Sequence, residues 1–368
     1  MELNIKTFAV FLLLLLTCQC QHQSSPPSTP TSSAGSGGSF GPNNFLISAN
    51  LPPPEGLDLP MAEDLLTQKG ANLFVFSDDW NTIEPTSGQY DLTDTITNPF
   101  TLVIPNYPFK GVVLVLKMID TNIRTMPADL QNDAFDDPQV EQAFLTMLHM
   151  VATAPGVASH VNYILLGNEV DNYFDAHPGE VTGFMSLLKL SIAQLHQDLP
   201  GVKVGTITTF SSLQNPQLFR TLTQYSDFID YTYYPLGANW QMEPVSVAPG
   251  DLANMSAAAA NKQFGFTEIG YSASTQSSSS DQQQADFLQT VFQTLDTFGT
   301  QVAYVNWASL ADSSPDVCEA YANSQGLTTN VDTFCAYAEY TGLLTYEDQP
   351  RPAWNIFVQE MQASTQSQ

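Results

Sequence analysis

From Phe40 onward, apolar runs of four to seven residues alternate with longer stretches whose apolar positions recur at helical spacing. Asn44 to Ala49 (NFLISA) reads as a first strand, Leu59 to Lys69 as its helix and Leu73 to Ser77 as a second strand. Val112 to Met118 is a third strand, followed by a helix over Pro138 to Ala152. Asn162 to Leu166 is a fourth, followed by Glu180 to Gln197, where Phe184, Leu187, Leu188, Ile192 and Leu195 keep helical spacing. Lys203 to Ile207, Asp227 to Tyr233, Gln263 to Thr267 and Gln301 to Asn306 supply strands five to eight. Helices are predicted around Leu252 to Ala260, over Asp281 to Phe298 and after Pro352. Strands without polar alternation are buried on both faces, as in parallel sheets. Eight strand-helix units in alternation predict an α/β fold of one closed parallel barrel, a single (β/α)8 TIM barrel over residues 40–364. An open doubly wound sheet competes, but Asn50 to Pro54 after the first strand is proline-rich and carries no phosphate-binding glycine pattern.

In such a barrel the C-terminal strand tips converge on one mouth, where chemistry sits. Strand four runs into Ile164 to Asp171 (ILLGNEVD), an apolar run that stops at Gly167, Asn168 and Glu169. Strand two ends at Asp78, Asp79 and Trp80, and strand three in the stretch from Lys117 to Asn122. Strand six ends at Tyr233 and Tyr234, strand seven at Glu268 with Tyr271 just beyond, and strand eight at Trp307. Two glutamates, Glu169 and Glu268, stand alone on their tips about a hundred residues apart. Paired carboxylates across a cleft are the equipment of glycosidic bond cleavage, one giving a proton to the leaving oxygen and the other attacking the anomeric carbon. Asp78 and Asp79 bind sugar hydroxyls or cap the next segment. Lys117 touches substrate or forms a structural ion pair. Tyr271 is placed along the cleft, and Glu84 is read as a capping or loop carboxylate.

This arrangement resembles clan A glycoside hydrolases, retaining (β/α)8-barrel enzymes. The resemblance implies that Glu169 is the acid/base, that Asn168 contacts the sugar 2-hydroxyl, and that Glu268 is the nucleophile. It implies further that Tyr233 or Tyr234 hydrogen-bonds Glu268 and that Trp307 is a stacking platform. Trp80 to Tyr90 (WNTIEPTSGQY) and Gly342 to Asn355 (GLLTYEDQPRPAWN) are similar to segments of the same clan. The chain departs from it on strand two, where Phe76-Ser77-Asp78 replaces an arginine region, and on strand six, where Tyr231 and Tyr233 stand in place of a histidine. The activity implied is cleavage of β-glycosidic bonds in an oligo- or polysaccharide by double displacement, without metal or organic cofactor. A non-catalytic glycan-binding barrel and a transglycosylase remain as alternatives.

Charge and composition narrow the ligand. Ten Lys+Arg against 37 Asp+Glu leave a formal net charge of −27, which repels phosphate backbones. Nucleic acid and polyanionic substrates are therefore disfavoured, and a neutral glycan is the expected partner. Residues 1–20 carry one lysine-bearing start and an apolar core from Phe8 to Leu16, too short to span a bilayer and suited to an export signal. Leu15 to Cys18 resembles a lipobox, with Thr17 where a smaller residue is usual. Lipidation of Cys18 and membrane attachment is one reading, and ordinary cleavage near Cys20 with free secretion is the other. Residues 21–39 are rich in Ser, Pro, Thr and Gly and form a tether. In an exported chain Cys318 and Cys335 pair as a disulfide.

Overall fold

The structure, a computed structural model, describes residues 45–51 and 59–366. The expected export signal, Cys18 and the tether lie outside the described residues, as do the start of the first predicted strand at Asn44 and residues 52–58.

Eight parallel strands form the barrel: β1 (Leu46–Ala49), β2 (Leu73–Asp79), β3 (Gly111–Asp120), β4 (Tyr163–Asn168), β5, β6 (Ile229–Tyr233), β7 (Phe264–Ile269) and β8 (Val302–Trp307). β5 is broken into Lys203–Gly205, which pairs with β4, and Ile207–Thr209, which pairs with β6. The hydroxyl of Thr206 between the halves donates to the Leu166 carbonyl at 2.8 Å and bridges the break. One arc runs β2-β3-β4-β5 and the other β5-β6-β7-β8-β1. The seam between β1 and β2 is closed by the Asn72 N–H on the Ile47 carbonyl (3.2 Å) and by the Ile47 N–H on Asn72 Oδ1 (2.8 Å). The predicted barrel is thus the observed fold, and each predicted strand lies within a few residues of its place.

Helices α1 (Leu59–Gln68), α2 (Pro138–Thr153), α3 (Val181–Asp198), α4 (Pro216–Thr223), α5 (Ala248–Ala259), α6 (Asp281–Asp296) and α7 (Pro352–Gln366) wrap the outside. α2 starts where Asp137 accepts the Gln139 N–H at 2.8 Å and Pro138 takes the first helical position, which needs no N–H donor. In α3, Phe184, Leu187, Leu188 and Leu195 are fully buried against the sheet. Each such side chain contributes about 1.5–3 kcal/mol through burial. Strict alternation fails once. Between β2 and β3, among the described residues, the chain makes one four-residue α-turn (Trp80–Ile83) and two π-helical segments (Thr93–Thr97 and Pro99–Val103) in place of a longer α-helix. Pro99 breaks the run and Phe100 and Ile104 still bury against the sheet, so the layer is filled without a regular helix.

Inside the barrel, Tyr163, Phe228 and Tyr304 pack edge to face, with Val113, Val115 and Leu165 around them. Gly265 makes room for this plug, because a Cβ there would lie 2.7 Å from the Tyr304 ring. Asp230 is buried in the same interior. Its carboxylate accepts from Tyr304 Oη (2.6 Å) and Thr267 Oγ1 (2.6 Å), and burial pushes it up to about 7. This plug is the floor beneath the mouth.

Candidate active site

On strands buried on both faces, parity decides which side chains face the barrel axis and which face the helices. On β6, Tyr231 and Tyr233 lie in the outer layer, while Asp230 and Thr232 face inward. On β7, Phe264 and Phe266 are outward, so simple alternation would turn Glu268 outward as well. A register shift against β6, where Tyr231 faces Phe266 but Thr232 faces Glu268, inserts a residue into β7 and brings Glu268 to the mouth. β4 has a comparable device. Gly167 adopts φ 87° and Glu169 φ 46°, both left-handed, and a Cβ on Gly167 would lie 2.6 Å from Val170 Cγ1. A non-glycine residue held there is strained backbone of the kind found at functional sites. Thr121, at φ 52°, is a second such residue, and its hydroxyl donates to Glu169 Oε2 at 3.0 Å.

β6 and the residue that follows it hold both glutamates. Thr232 Oγ1 donates to Glu169 Oε1 at 2.6 Å, and Tyr234 Oη donates to Glu268 Oε2 at 2.8 Å. Asn172 Nδ2 adds a longer contact to Glu169 Oε2 at 3.3 Å. Burial pushes Glu169 above the usual carboxylate range, against the Thr232 and Thr121 hydrogen bonds, with the charge of Asp120 adding to the rise. Burial and then the charge of Glu169 push Glu268 up in the same way, while the Tyr234 hydrogen bond opposes them. Two carboxyl groups that interact in a dry site titrate as a pair and not independently.

Beside the pair runs a polar chain across the tips of β2, β3 and β4. Asp79 Oδ1 lies 2.9 Å from Lys117 Nζ, Lys117 Nζ lies 3.0 Å from Asp120 Oδ2, and Asp120 Oδ1 accepts from Asn168 Nδ2 at 2.9 Å. Burial works against the Lys117 charge, but Asp120 and Asp79 outweigh it and hold its pKa above the usual lysine value. Lys117 also lowers the cost of charge on Glu268. The cation beside the pair is thus Lys117 of β3.

Five residues read as candidates for the mouth are placed elsewhere, for reasons of parity. Asp78 is buried on the outer side of β2 and accepts the Asp79 N–H at 2.9 Å; burial pushes it up to about 7. Trp80 is buried against Phe144, and its Nε1 donates to Glu84 Oε2 at 2.7 Å. Glu84 also accepts the Gly88 N–H, so it is a loop carboxylate as read. Tyr233 reaches outward to Asp251 Oδ2 (2.8 Å), and Tyr271 to the Glu243 carbonyl (2.8 Å) with its ring stacked on Phe287. Trp307 is 1% exposed, in the layer between sheet and helices, with Nε1 on the Thr341 carbonyl at 2.9 Å. It offers no face to a sugar. Asn306 takes the inward position on β8, donating to the Thr267 carbonyl at 3.0 Å.

What lies over the mouth comes from the long connection between β8 and α7. Two helices there, Pro315–Ser324 and Val331–Ala338, are joined by the expected disulfide Cys318–Cys335. Tyr337 packs edge-on against Tyr234 (5.8 Å, 89°), and Trp240 from the loop after β6 stacks on Tyr337. Tyr321 lies near the glutamates. The residue is 47% exposed, with its hydroxyl end toward the charges of Asp120, Glu169 and Glu268. Sequence reasoning did not single out Asp120, Thr121, Thr232, Tyr321 or Tyr337. The cysteine pair, each member of which shortly precedes one of the last two, was the available signal.

No family model and no curated protein matches the chain. Solved structures do match in fold. The exo-β-1,4-mannosidase Op5Man5 from Opitutaceae bacterium strain TAV5 is similar over 88% of this chain, at 16% identity and TM-score 0.65. This chain spans 60% of that longer one. A GH5_18 variant from Streptomyces cattleya in complex with Manβ1-4GlcNAc is similar over 86% of this chain and 80% of its own, at 14% identity and TM-score 0.65. β-Glucosidase 1317 is similar over 81% of this chain and 85% of its own, at 13% identity and TM-score 0.56. At such identities the likeness is one of fold. It is the fold of the glycoside hydrolases that the strand-tip pattern resembles.

Proposed function

We propose that the protein is a retaining glycoside hydrolase that cleaves β-linked neutral glycans by double displacement. The observation that carries this reading is the pair of inward glutamates at the tips of β4 and β7, each held by a hydroxyl from the end of β6 and both raised by burial, Glu169 further by the charge of Asp120 and Glu268 by the charge of Glu169. In the first step Glu268 Oε attacks the anomeric carbon, the C–O bond to the leaving group breaks, and Glu169 gives its proton to the departing oxygen. In the second, Glu169 takes a proton from water, whose oxygen attacks the anomeric carbon and releases Glu268.

Glu169 must carry a proton for the first step. A bound sugar selects that form, because the positive charge developing at the anomeric carbon favours ionised Glu268 and the glycosidic oxygen accepts from protonated Glu169. Asn168 is held by Asp120 at the edge of the site, in position to meet a sugar hydroxyl. The net charge of −27 fits a neutral glycan. Neighbours described as a β-1,4-mannosidase and as a complex with Manβ1-4GlcNAc put β-mannosides first among candidate substrates.

Proton NMR of the reaction tests the mechanism. The first-formed sugar is expected as the β anomer, before mutarotation. A first-formed α anomer would show inversion and remove the covalent step.

A further inference from the structure

The inward turn of Glu268 depends on one irregularity in β7, and side chains from three other strands surround it. β7 carries one residue more than either neighbour at the same level. Phe266 and Glu268 face Tyr231 and Thr232 of β6, while Phe266 and Ile269 face Val305 and Trp307 of β8. The additional residue is Thr267. In a regular parallel ladder its N–H and C=O bond to the backbones on either side. Here side chains take both groups. Asp230 Oδ1 of β6 accepts the Thr267 N–H at 3.2 Å and the Thr267 hydroxyl at 2.6 Å. The Thr267 carbonyl, one peptide bond from Glu268, accepts from Asn306 Nδ2 of β8 at 3.0 Å and from Asn50 Nδ2, just beyond β1, at 3.4 Å.

Asn306 has no packing reason to be an amide. It is 1% exposed, and a carbonyl oxygen can only accept, so Nδ2 is the atom that faces Thr267. The same nitrogen donates to Asn50 Oδ1 at 2.5 Å. Among the described residues no group donates to the buried Asn306 Oδ1. A buried carbonyl oxygen without a donor destabilises the fold, and an aliphatic side chain at this inward position would avoid that penalty. The amide is accounted for by its two donations, and both go to the edge of the bulge. The opposite brace, Asp230, is fully buried and is itself anchored by Tyr304 Oη at 2.6 Å.

We propose that Asn306 and Asp230 are positioning residues for the nucleophile. They clamp Thr267 from both sides, hold the bulge in β7, and so fix the Glu268 carboxylate where it meets the anomeric carbon. Without the clamp β7 relaxes towards the regular ladder, in which a shift of one residue turns position 268 to the helical layer. The proposal rests on the glycosidase reading above.

The test separates the placing of Glu268 from every other role. Asn306→Ala and Thr267→Val each release one side of the clamp, and each is made in the full chain and again in Glu268→Ala. In Glu268→Ala the attacking group is external azide. Its nitrogen bonds to the anomeric carbon of an activated aryl β-glycoside from the α face, and the aryl oxygen leaves with the electron pair of the broken C–O bond. With Glu268 present, each substitution is expected to lower kcat/KM roughly 10- to 100-fold, the scale for a displaced reacting group. In the azide reaction the same substitutions are expected to change the rate by less than about twofold, because the carboxylate they would displace is gone. An equal loss in both backgrounds would show that these residues serve substrate binding or the barrel at large, and would overturn the proposal while leaving the glycosidase reading intact. Unchanged kcat/KM with Glu268 present would overturn it in the same way. A chain that cleaves no aryl glycoside, or that keeps its full activity in Glu268→Ala without azide, would overturn the glycosidase reading and the proposal together.

Discussion

Replacing Thr232 by Val removes one hydroxyl from beside the acid/base and keeps the branched shape of the side chain. Thr232 is buried, so water does not enter to replace the 2.6 Å contact to Glu169 Oε1. A hydrogen bond to a charged partner contributes about 1.5–3 kcal/mol. Ionised Glu169 loses that support, a factor of roughly 10–150 in its stability relative to the protonated form. The sign follows: Thr232 lowers the pKa of Glu169, so its removal drives an already raised pKa further up. Glycosylation needs Glu169 protonated and is expected to hold its rate to within a few-fold. Deglycosylation needs it ionised, as base, and slows. On an activated aryl glycoside, stopped-flow release of the phenol is expected to show a full burst followed by a kcat reduced about 10- to 100-fold. Intact-mass spectra should show the glycosyl-enzyme accumulating. Thr232→Ser, which restores the hydroxyl, should recover most of the rate. Equal slowing of both half-reactions, or no change in either, would refute the idea that β6 tunes the acid/base through this bond.

The complementary change, Tyr234→Phe, takes the hydroxyl from ionised Glu268. It is expected to slow glycosylation roughly 10- to 100-fold without accumulation of the intermediate, read in single-turnover kinetics. Stability should fall as pH rises. Burial pushes Glu63 up to about 8 and Asp78, Asp171 and Asp230 up to about 7, so between pH 4 and those values the folded chain binds more protons than the unfolded one. Calorimetry should therefore give a higher Tm at pH 5 than at pH 8.5, and the reverse order would contradict these assignments. Gly265→Ala should cost about 1–3 kcal/mol by pressing a methyl into the Tyr304 ring, measured by urea unfolding.

The fold was legible because eight doubly buried strands leave unbroken apolar runs, and because α3 and α6 keep a clear helical face. The second helix was not, since two short π-helical segments bury Ile96 and Phe100 without helical periodicity in the sequence. The two glutamates were also legible, as lone carboxylates at strand ends. The direction in which a tip residue points was not. A strand buried on both faces shows no alternation to reveal parity, so Tyr233 and Tyr234 could not be told apart, and the structure gives the Glu268 contact to Tyr234. The same blindness placed Trp307, Tyr271, Trp80 and Asp78 at the mouth, although each faces the helical layer. Bulges remove even the parity that exists, and Glu268 is inward only through one. The insert after β8 was illegible for another reason. Nothing in the sequence says that residues around Tyr321 return to Asn122, which lies about two hundred positions earlier.

The most direct measurement of the central claim is mechanism-based labelling. The protein is incubated with activated 2-fluoro β-glycosides, the mannoside first, and any adduct is located by peptide mass spectrometry. The account predicts one sugar per chain, attached to Glu268, and no adduct after Glu268→Gln. An adduct on Glu169 or on any other residue would contradict the assignment of the nucleophile. Glycan binding without any adduct across the sugar panel would contradict the retaining mechanism itself.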